Sequence, residues 1–268
     1  MKKQTSLIVY AILFLIILLS PFWLWKFQAS KELNVLIFDK TVPDQTYREH
    51  KGLTWILNNE KYFKENQKPY EINEDYKGFV PKEGQQYSIT SLPDDLRKYD
   101  VFYFADQYGV YDEDFNGKND TGKKSSIIYG GLEAADIDRI EQELLASNGK
   151  TFIAEFNTFG SPTPESVRDK IENLLNLEWT GWIGRYFPNL NNKEVPEWVR
   201  EQYVENGGKW NYKGEGFVFV SKNNEIVVVD EKNVTQSGAL FNLTKQGMNF
   251  TNRELQGEYQ YWFDINSA

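Results

Sequence analysis

Residues 6–25 run Ser-Leu-Ile-Val-Tyr-Ala-Ile-Leu-Phe-Leu-Ile-Ile-Leu-Leu-Ser-Pro-Phe-Trp-Leu-Trp without one charged side chain. About 20 apolar residues carry a helix across the hydrocarbon of a bilayer. Lys2 and Lys3 precede the run, and Trp23 and Trp25 close it. Basic residues stay on the cytoplasmic side and indoles prefer the membrane interface, so the chain is expected to cross the cell membrane once. Residues 1–5 are then a cytoplasmic tail, 6–25 the anchor, and the rest extracytoplasmic. A cleaved signal peptide would have an apolar region of about 7–15 residues and a small-x-small cleavage site. This run is longer, Phe27 stands where a small residue is wanted, and no Cys follows to take a lipid. An uncleaved anchor is the expectation.

The chain has 30 basic and 39 acidic side chains; Lys2, Lys3 and Lys26 flank the anchor, which leaves 27 against 39 outside, a net charge of −12. Such a surface repels phosphate backbones, so nucleic acid is not expected as a partner. It also disfavours lying flat on anionic lipid and suits cations or neutral ligands. The chain has no Cys. Disulfides, a thiol nucleophile and Cys-ligated zinc are therefore excluded.

Beyond a short tether over residues 27–32, the chain alternates strands and helices. Leu33–Phe38, Tyr99–Ala105 and Thr151–Phe156 are apolar runs of strand length. Helical spacing of apolar residues predicts helices over Tyr47–Phe63, Glu133–Ser147 and Ser161–Leu177, the last with Thr163 as N-cap and Pro164 at its first position. Such alternation implies a parallel sheet with helices on its faces. Residues 107–126 form a polar acidic loop, long enough to be suspected of function. The fold class is thus α/β: an anchor helix, then a doubly wound, mainly parallel sheet over 33–190. A β-rich extension covers 205–268, with a hairpin around Lys222-Asn-Asn224 and strands at Leu240–Leu243 and Tyr259–Ile265.

Residues 33–187 resemble the class I glutamine amidotransferase-like fold, a flavodoxin-type sheet. The resemblance rests on strands ending at Asp39 and Asp106 and on Gly130-Gly131, Asp136 and Gly149-Lys-Thr-Phe-Ile-Ala-Glu155. The stretches Tyr47-Arg-Glu-His-Lys-Gly52, Glu155-Phe-Asn-Thr-Phe-Gly-Ser-Pro-Thr163 and Trp179-Thr-Gly-Trp-Ile-Gly-Arg185 are similar to uncharacterised membrane-anchored bacterial proteins. It covers just over half the chain. Members that hydrolyse glutamine need a Cys on a sharp strand–helix turn and a His partner. This chain has no Cys, and its one His, His50, lies early. Amidotransfer is excluded, and the resemblance carries over the scaffold alone.

Open parallel sheets bind ligands beyond the carboxyl ends of their strands. Asp39 and Lys40, Asp106 and Gln107, Glu155 and Asn157, and Arg185 all fall at such ends and are expected to converge on one rim. Two of the carboxylates, Glu155 with Asp106 or Asp39, could divide acid and base roles as in glycoside hydrolysis. Ion pairs and caps are the commoner meaning of such residues. Glu155 interrupts an apolar strand and needs a partner, for which Arg185 and Arg168 are the candidates. His50 could carry a proton near neutrality or be a satisfied structural side chain. Trp182, with Trp179, Tyr186 and Phe187 beside Gly181, Gly184 and Arg185, has the composition of a sugar platform and equally of an aromatic core. Asp112, Asp114, Asn116 and Asp120 match the first half of a calcium loop, though Lys123 stands where the bidentate Glu belongs. Calcium is the one cofactor the sequence suggests.

The functional expectation is a membrane-anchored extracytoplasmic accessory domain of the cell envelope, holding a glycan or protein partner at the sheet's carboxyl rim. The alternative is a carbohydrate-active hydrolase.

Overall fold

The structure is a computed structural model that describes residues 2–117, 119–234, 238–252, 256–259 and 261–267. Helix α1 (Lys2–Phe27) contains the 20-residue stretch Ile8–Phe27, of mean hydropathy 2.4, none of it buried among the described residues. At 1.5 Å per residue this stretch is about 30 Å long, the thickness of a bilayer's hydrocarbon core.

The segment after α1 is not a free tether. Strand β1 (Lys31–Glu32) pairs in parallel with β3 (Tyr62–Phe63). The indole N–H of Trp25 donates to the Asn59 carbonyl at 2.6 Å, and Lys61 Nζ donates to the Lys26 carbonyl at 3.2 Å.

The central sheet has five strands in the order β5 (Gln86–Thr90), β4 (Lys77–Lys82), β2 (Val35–Asp39), β6 (Val101–Phe104), β9 (Thr151–Ala154). The four strands from β4 to β9 run parallel, and β5 returns antiparallel on β4. Alternate residues of β2 and β6 serve two cores, as side-chain alternation along a strand requires. Leu36, Phe38, Phe102 and Phe104 pack with Ile137 and Ile140 of α4 (Ala134–Ala146) and Val167 and Ile171 of α5 (Glu165–Leu175). Val35, Ile37, Tyr103 and Ala105 pack with Leu57 of α2 (Arg48–Asn59). The molecule is therefore mixed α/β with a mainly parallel sheet.

Two helix boundaries differ from the sequence reading. α2 ends at Asn59, and the chain then enters β3. Helix α5 starts at Glu165 after Pro164, with no side-chain cap, because the Thr163 hydroxyl accepts from the Leu132 N–H at 3.2 Å.

A second sheet is antiparallel, in the order β12 (Ile226–Asp230), β11 (Gly216–Ser221), β10 (Glu178–Phe187), β15 (Phe263–Ser267). The expected hairpin is β11–β12. Strand β10 falls in the span 33–190 expected to form the parallel sheet, but it pairs antiparallel here. Its Trp179 packs in the α4–α5 core, while Phe187 packs with Val199 of α6 (Glu197–Glu205) in a core of its own. The predicted strand Tyr259–Ile265 is divided between β14 (Gln256–Tyr259), which pairs with β13 (Ala239–Asn242), and β15. Helix α7 (Lys245–Thr251) links β13 and β14. The acidic loop holds β7 (Val110–Tyr111) and the single turn α3 (Asp112–Phe115), and β8 (Ile127–Tyr129), directly after it, pairs with β7.

Candidate functional site

The carboxyl ends of β2 and β6 are neighbours, and they are where the connections diverge to α2 on one face and α4 on the other. Asp39, Lys40, His50 and Gln107 are each at most 1% exposed there, and Asp106 is 8% exposed. Buried polar groups of this kind must be partnered.

Asp39 faces α2. Its Oδ2 lies 2.6 Å from His50 Nδ1, and its Oδ1 accepts from the Thr41 N–H at 2.9 Å. His50 Nε2 lies 2.9 Å from the Ile72 carbonyl. A carbonyl only accepts, so Nε2 carries its hydrogen, and the proton in the Nδ1 to Asp39 contact is shared by that pair. The sequence leaves His50 open between proton carrier and structural side chain, and both its nitrogens are engaged. Close approach is built in at Gly78, at φ +122°, where a Cβ would stand 1.8 Å from the Asp39 carbonyl oxygen.

Lys40 points the other way. Strand alternation sends it to the α4 face, away from Asp39. Its Nζ donates to the Gly131 carbonyl at 2.7 Å, lies 3.7 Å from Asp136, and sits over the rings of Tyr129 and Phe38. Desolvation lowers the Lys40 pKa, opposed by Asp136 and Glu133. The expectation that Lys40 shares a rim with Asp39 is corrected by this geometry. Gly131, at φ +73°, leaves no room for a side chain: a Cβ would meet the Pro162 carbonyl oxygen at 2.8 Å.

Asp106 is the centre of the network. Its Oδ1 accepts from the Thr41 hydroxyl and the Tyr108 N–H, both at 2.7 Å, and its Oδ2 accepts from Asn157 Nδ2 at 3.1 Å. Burial pushes its pKa up to about 7, against the hydrogen bonds from Tyr108 and Thr41 and with help from the charges of Glu49 and Asp39. Gln107 Nε2 donates to the Phe38 carbonyl at 2.9 Å, and its buried Oε1 has no hydrogen-bond partner among the described residues.

Glu155 reaches solvent just past the end of β9. The Tyr103 hydroxyl donates to it, in the role the sequence suggested for an arginine. Its pKa is raised, first by partial burial and then by Glu49 and Asp39, while Tyr103 opposes. Arg168 is engaged elsewhere, donating to the Phe159 carbonyl at 2.7 Å beneath the Trp179 ring. Arg185 lies 3.6 Å from Glu194 and stacks on Phe187. Its pKa is lowered, first by burial, and Arg48 and Tyr261 are close enough to act on it.

Asp264 in β15 escapes sequence reasoning. The backbone N–H of Asn157 donates to its carboxylate, while its buried Oδ1 has no hydrogen-bond partner among the described residues. Burial pushes its pKa up to about 7. Asn157, held at φ +69°, thus bridges two carboxyls more than 150 positions apart in the chain. The available signal was an acidic residue directly after the aromatic run Tyr261-Trp-Phe263.

The remaining candidates lie elsewhere. Trp182 is half-buried beside the irregularity in β10, opposite Ser221 and Ile265. Trp179, Tyr186 and Phe187 are buried, so three of the four rings of the suspected sugar platform are core. Asp112 and Asp114 lie in the turn α3, and Asn116 caps it, donating to the Asp112 carbonyl at 3.0 Å. Asp114 Oδ1 accepts from Asn119, and Asp120 follows in a turn. Among the described residues no group of three His, Asp or Glu side chains is placed to hold a metal.

A cavity of about 570 Å3 lies away from this chemistry, at the amino end of β2, between Asn34–Ile37 and Tyr70–Lys77. No family profile matches this chain, and no similarity to a curated protein or to a solved structure was found.

Proposed function

We propose that this protein is an extracytoplasmic binding domain held at the cell membrane by α1, with its ligand site at the carboxyl ends of β2, β6 and β9. The scaffold is read as a doubly wound, amidotransferase-like sheet without amidotransferase chemistry. The strand order β4-β2-β6-β9, with helices packed on both faces, supports that reading. The anchor reading is supported by the contacts of Trp25 and Lys26 with Asn59 and Lys61, which a leader removed during export would not keep.

One observation carries the choice of site. Asp39, Glu49, Asp106 and Glu155 come from four separate segments and act on one another electrostatically, with Arg48 and Arg185 alongside. Two of them, Asp106 and Glu155, have raised pKa values, and a switch point of strand order is where open α/β sheets place ligands. Exposed Glu155 and Arg48 above a fixed, buried base offer acceptors and donors to a polyhydroxylated ligand, and the ectodomain's net negative charge favours a neutral one. A neutral glycan of the cell envelope is the ligand class.

The test uses the full chain in lipid nanodiscs, with neutral cell-wall glycan fragments as ligands. A ligand that binds only the native state raises the unfolding temperature by mass action. The expected result is a concentration-dependent rise that Glu155→Gln and Arg185→Ala both abolish. A rise that survives both substitutions would move the site off this rim.

A hydrolase is the second reading, favoured by one observation: Asp106 and Asp264 both titrate near 7 and share Asn157. A carboxyl protonated at neutrality can act as general acid. Asp39, held by His50 and Thr41, is the least available of the carboxylates for that work. Release of reducing ends from the same glycans, lost in Asp106→Asn, would establish it.

A further inference from the structure

Helix α2 carries a feature that neither core nor rim uses. Its inner face, His50, Thr54 and Leu57, is buried, whereas Trp55 is 65% exposed and Ile56 50% exposed. An indole and a branched aliphatic side by side in water are costly to leave uncovered, and they share the outer side of α2 with Gly52, where an added Cβ would meet nothing within 4 Å.

The position of this pair is set by α1. The Asn59 carbonyl, at the last residue of α2, accepts from the Trp25 indole at 2.6 Å, and Lys61 Nζ lies over the Trp25 ring at 4.4 Å. Trp25 belongs to the end of the 20-residue apolar stretch Ile8–Phe27. If α1 spans the bilayer, Trp25 sits at the headgroup level, where indoles concentrate. At 1.5 Å per residue, Trp55 and Ile56 are only about 6 Å and about 4.5 Å along the helix axis from Asn59, whatever the tilt of α2. The interfacial layer on each side of the hydrocarbon is roughly 5–7 Å thick. The pair therefore lies within about one layer thickness of the Asn59 contact along the helix axis. Lys31 and Lys61, clasped on Tyr62 and Trp25, have the long stems that let an ammonium reach water or phosphate while the methylenes stay in the interface.

We propose that α2 is a second membrane contact: Trp55 and Ile56 insert into the outer headgroup layer of the bilayer that α1 spans. This rests on the anchor reading given above. It gives the domain one orientation. The amino end of β2 and its cavity face the lipid, and the Asp39–Asp106 rim faces away, toward whatever lies beyond the membrane.

The absence of Cys makes the test clean, because single cysteines can be introduced and spin-labelled in the full chain. Trp55→Cys, Ile56→Cys, Phe14→Cys and Leu145→Cys alter exposed side chains only, Leu145 being 81% exposed on α4. In nanodiscs of phosphatidylcholine and phosphatidylglycerol, collision with dissolved oxygen is compared with collision with a water-soluble nickel chelate. The oxygen-to-nickel ratio is expected to be highest at position 14 and severalfold above that of position 145 at positions 55 and 56. A ratio at 55 and 56 equal to that at 145, with 14 still in lipid, overturns the proposal and leaves the anchor standing. Protection of 55 and 56 from both reagents means that a protein surface covers them, and also overturns it. A water-like ratio at 14 overturns the anchor and the proposal together.

Discussion

The two ends of β2 are built on opposite plans. At the carboxyl end, β4 and β6 flank the strand, and Asp39, His50, Thr41, Asp106 and Asn157 join in hydrogen-bonded networks around the two buried aspartates. At the amino end β2 keeps its pairing with β6, but its pairing with β4 begins only at Phe38 opposite Lys77. The strands splay below that point. The Tyr70 hydroxyl fills the place of a strand, accepting from the Val35 N–H at 2.8 Å and donating to the Leu33 carbonyl at 2.6 Å, and a cavity remains beside it. The lesson is that volume and chemistry are separable. Room opens where backbone pairing lapses, whereas perturbed carboxyls collect where three strands finish together.

Four measurements would break or sharpen that contrast. The largest effect is expected at the closed end. His50→Ala strips Asp39, fully buried, of its ring partner and should cost about 3–5 kcal/mol of unfolding free energy, read by denaturant titration in micelles. A cost below 1 kcal/mol would mean that water reaches Asp39.

The next is a pH effect. Asp106 sits near 7 in the folded state against an ordinary 3.8, so between those values the folded protein holds a proton that the unfolded chain has lost. Stability must then fall as pH rises through this window and level off above it. The loss should be about 2 kcal/mol for this group between roughly pH 5 and pH 7, and Asp264 acts in the same direction. Asp106→Asn should flatten the Asp106 share of the slope in unfolding curves, and an unchanged slope would remove Asp106 as its source.

At the open end, Tyr70→Phe deletes the bridging hydroxyl. It should cost about 1–2 kcal/mol, since the Val35 N–H loses a buried partner but the cavity can admit water. A cost matching that of His50→Ala would erase the distinction between the ends. The smallest effect serves as the baseline. Gly52→Ala, in the middle of α2 with nothing near its added methyl, should stabilise by roughly 0.5–1 kcal/mol at any pH.

Much of the frame was legible from local pattern. The apolar runs of β2, β6 and β9, the helical periodicity of α4, and the β11–β12 hairpin around Lys222 to Asn224 are all where the sequence places them. The division of strands between sheets was not. Strand β10 follows α5 directly, and the sequence leaves it strand or loop within the 33–190 unit, yet its register is set by β11 and β15, the latter some 80 positions later. The short elements β1 and β3 were read as tether and helix end, because two residues carry no periodicity to detect.

The candidate site divides in the same way. Asp39, Asp106, Glu155 and Asn157 could be picked out because a polar residue ending an apolar strand is a local event. Their partners could not. Asp106 is held by Thr41, 65 positions away, and by Asn157, 51 positions away, and Asp264 joins from the far end of the chain. Lys40 shows the limit most sharply, for its neighbour Asp39 is a site residue and it turns to the opposite face. By itself, then, the sequence determined the apolar helix, the buried strands and the exclusion of thiol chemistry, since burial follows from composition over a few residues. Only the tertiary structure decided which charges meet and how far their titration moves, because desolvation and pairing depend on neighbours that the chain brings together from a distance.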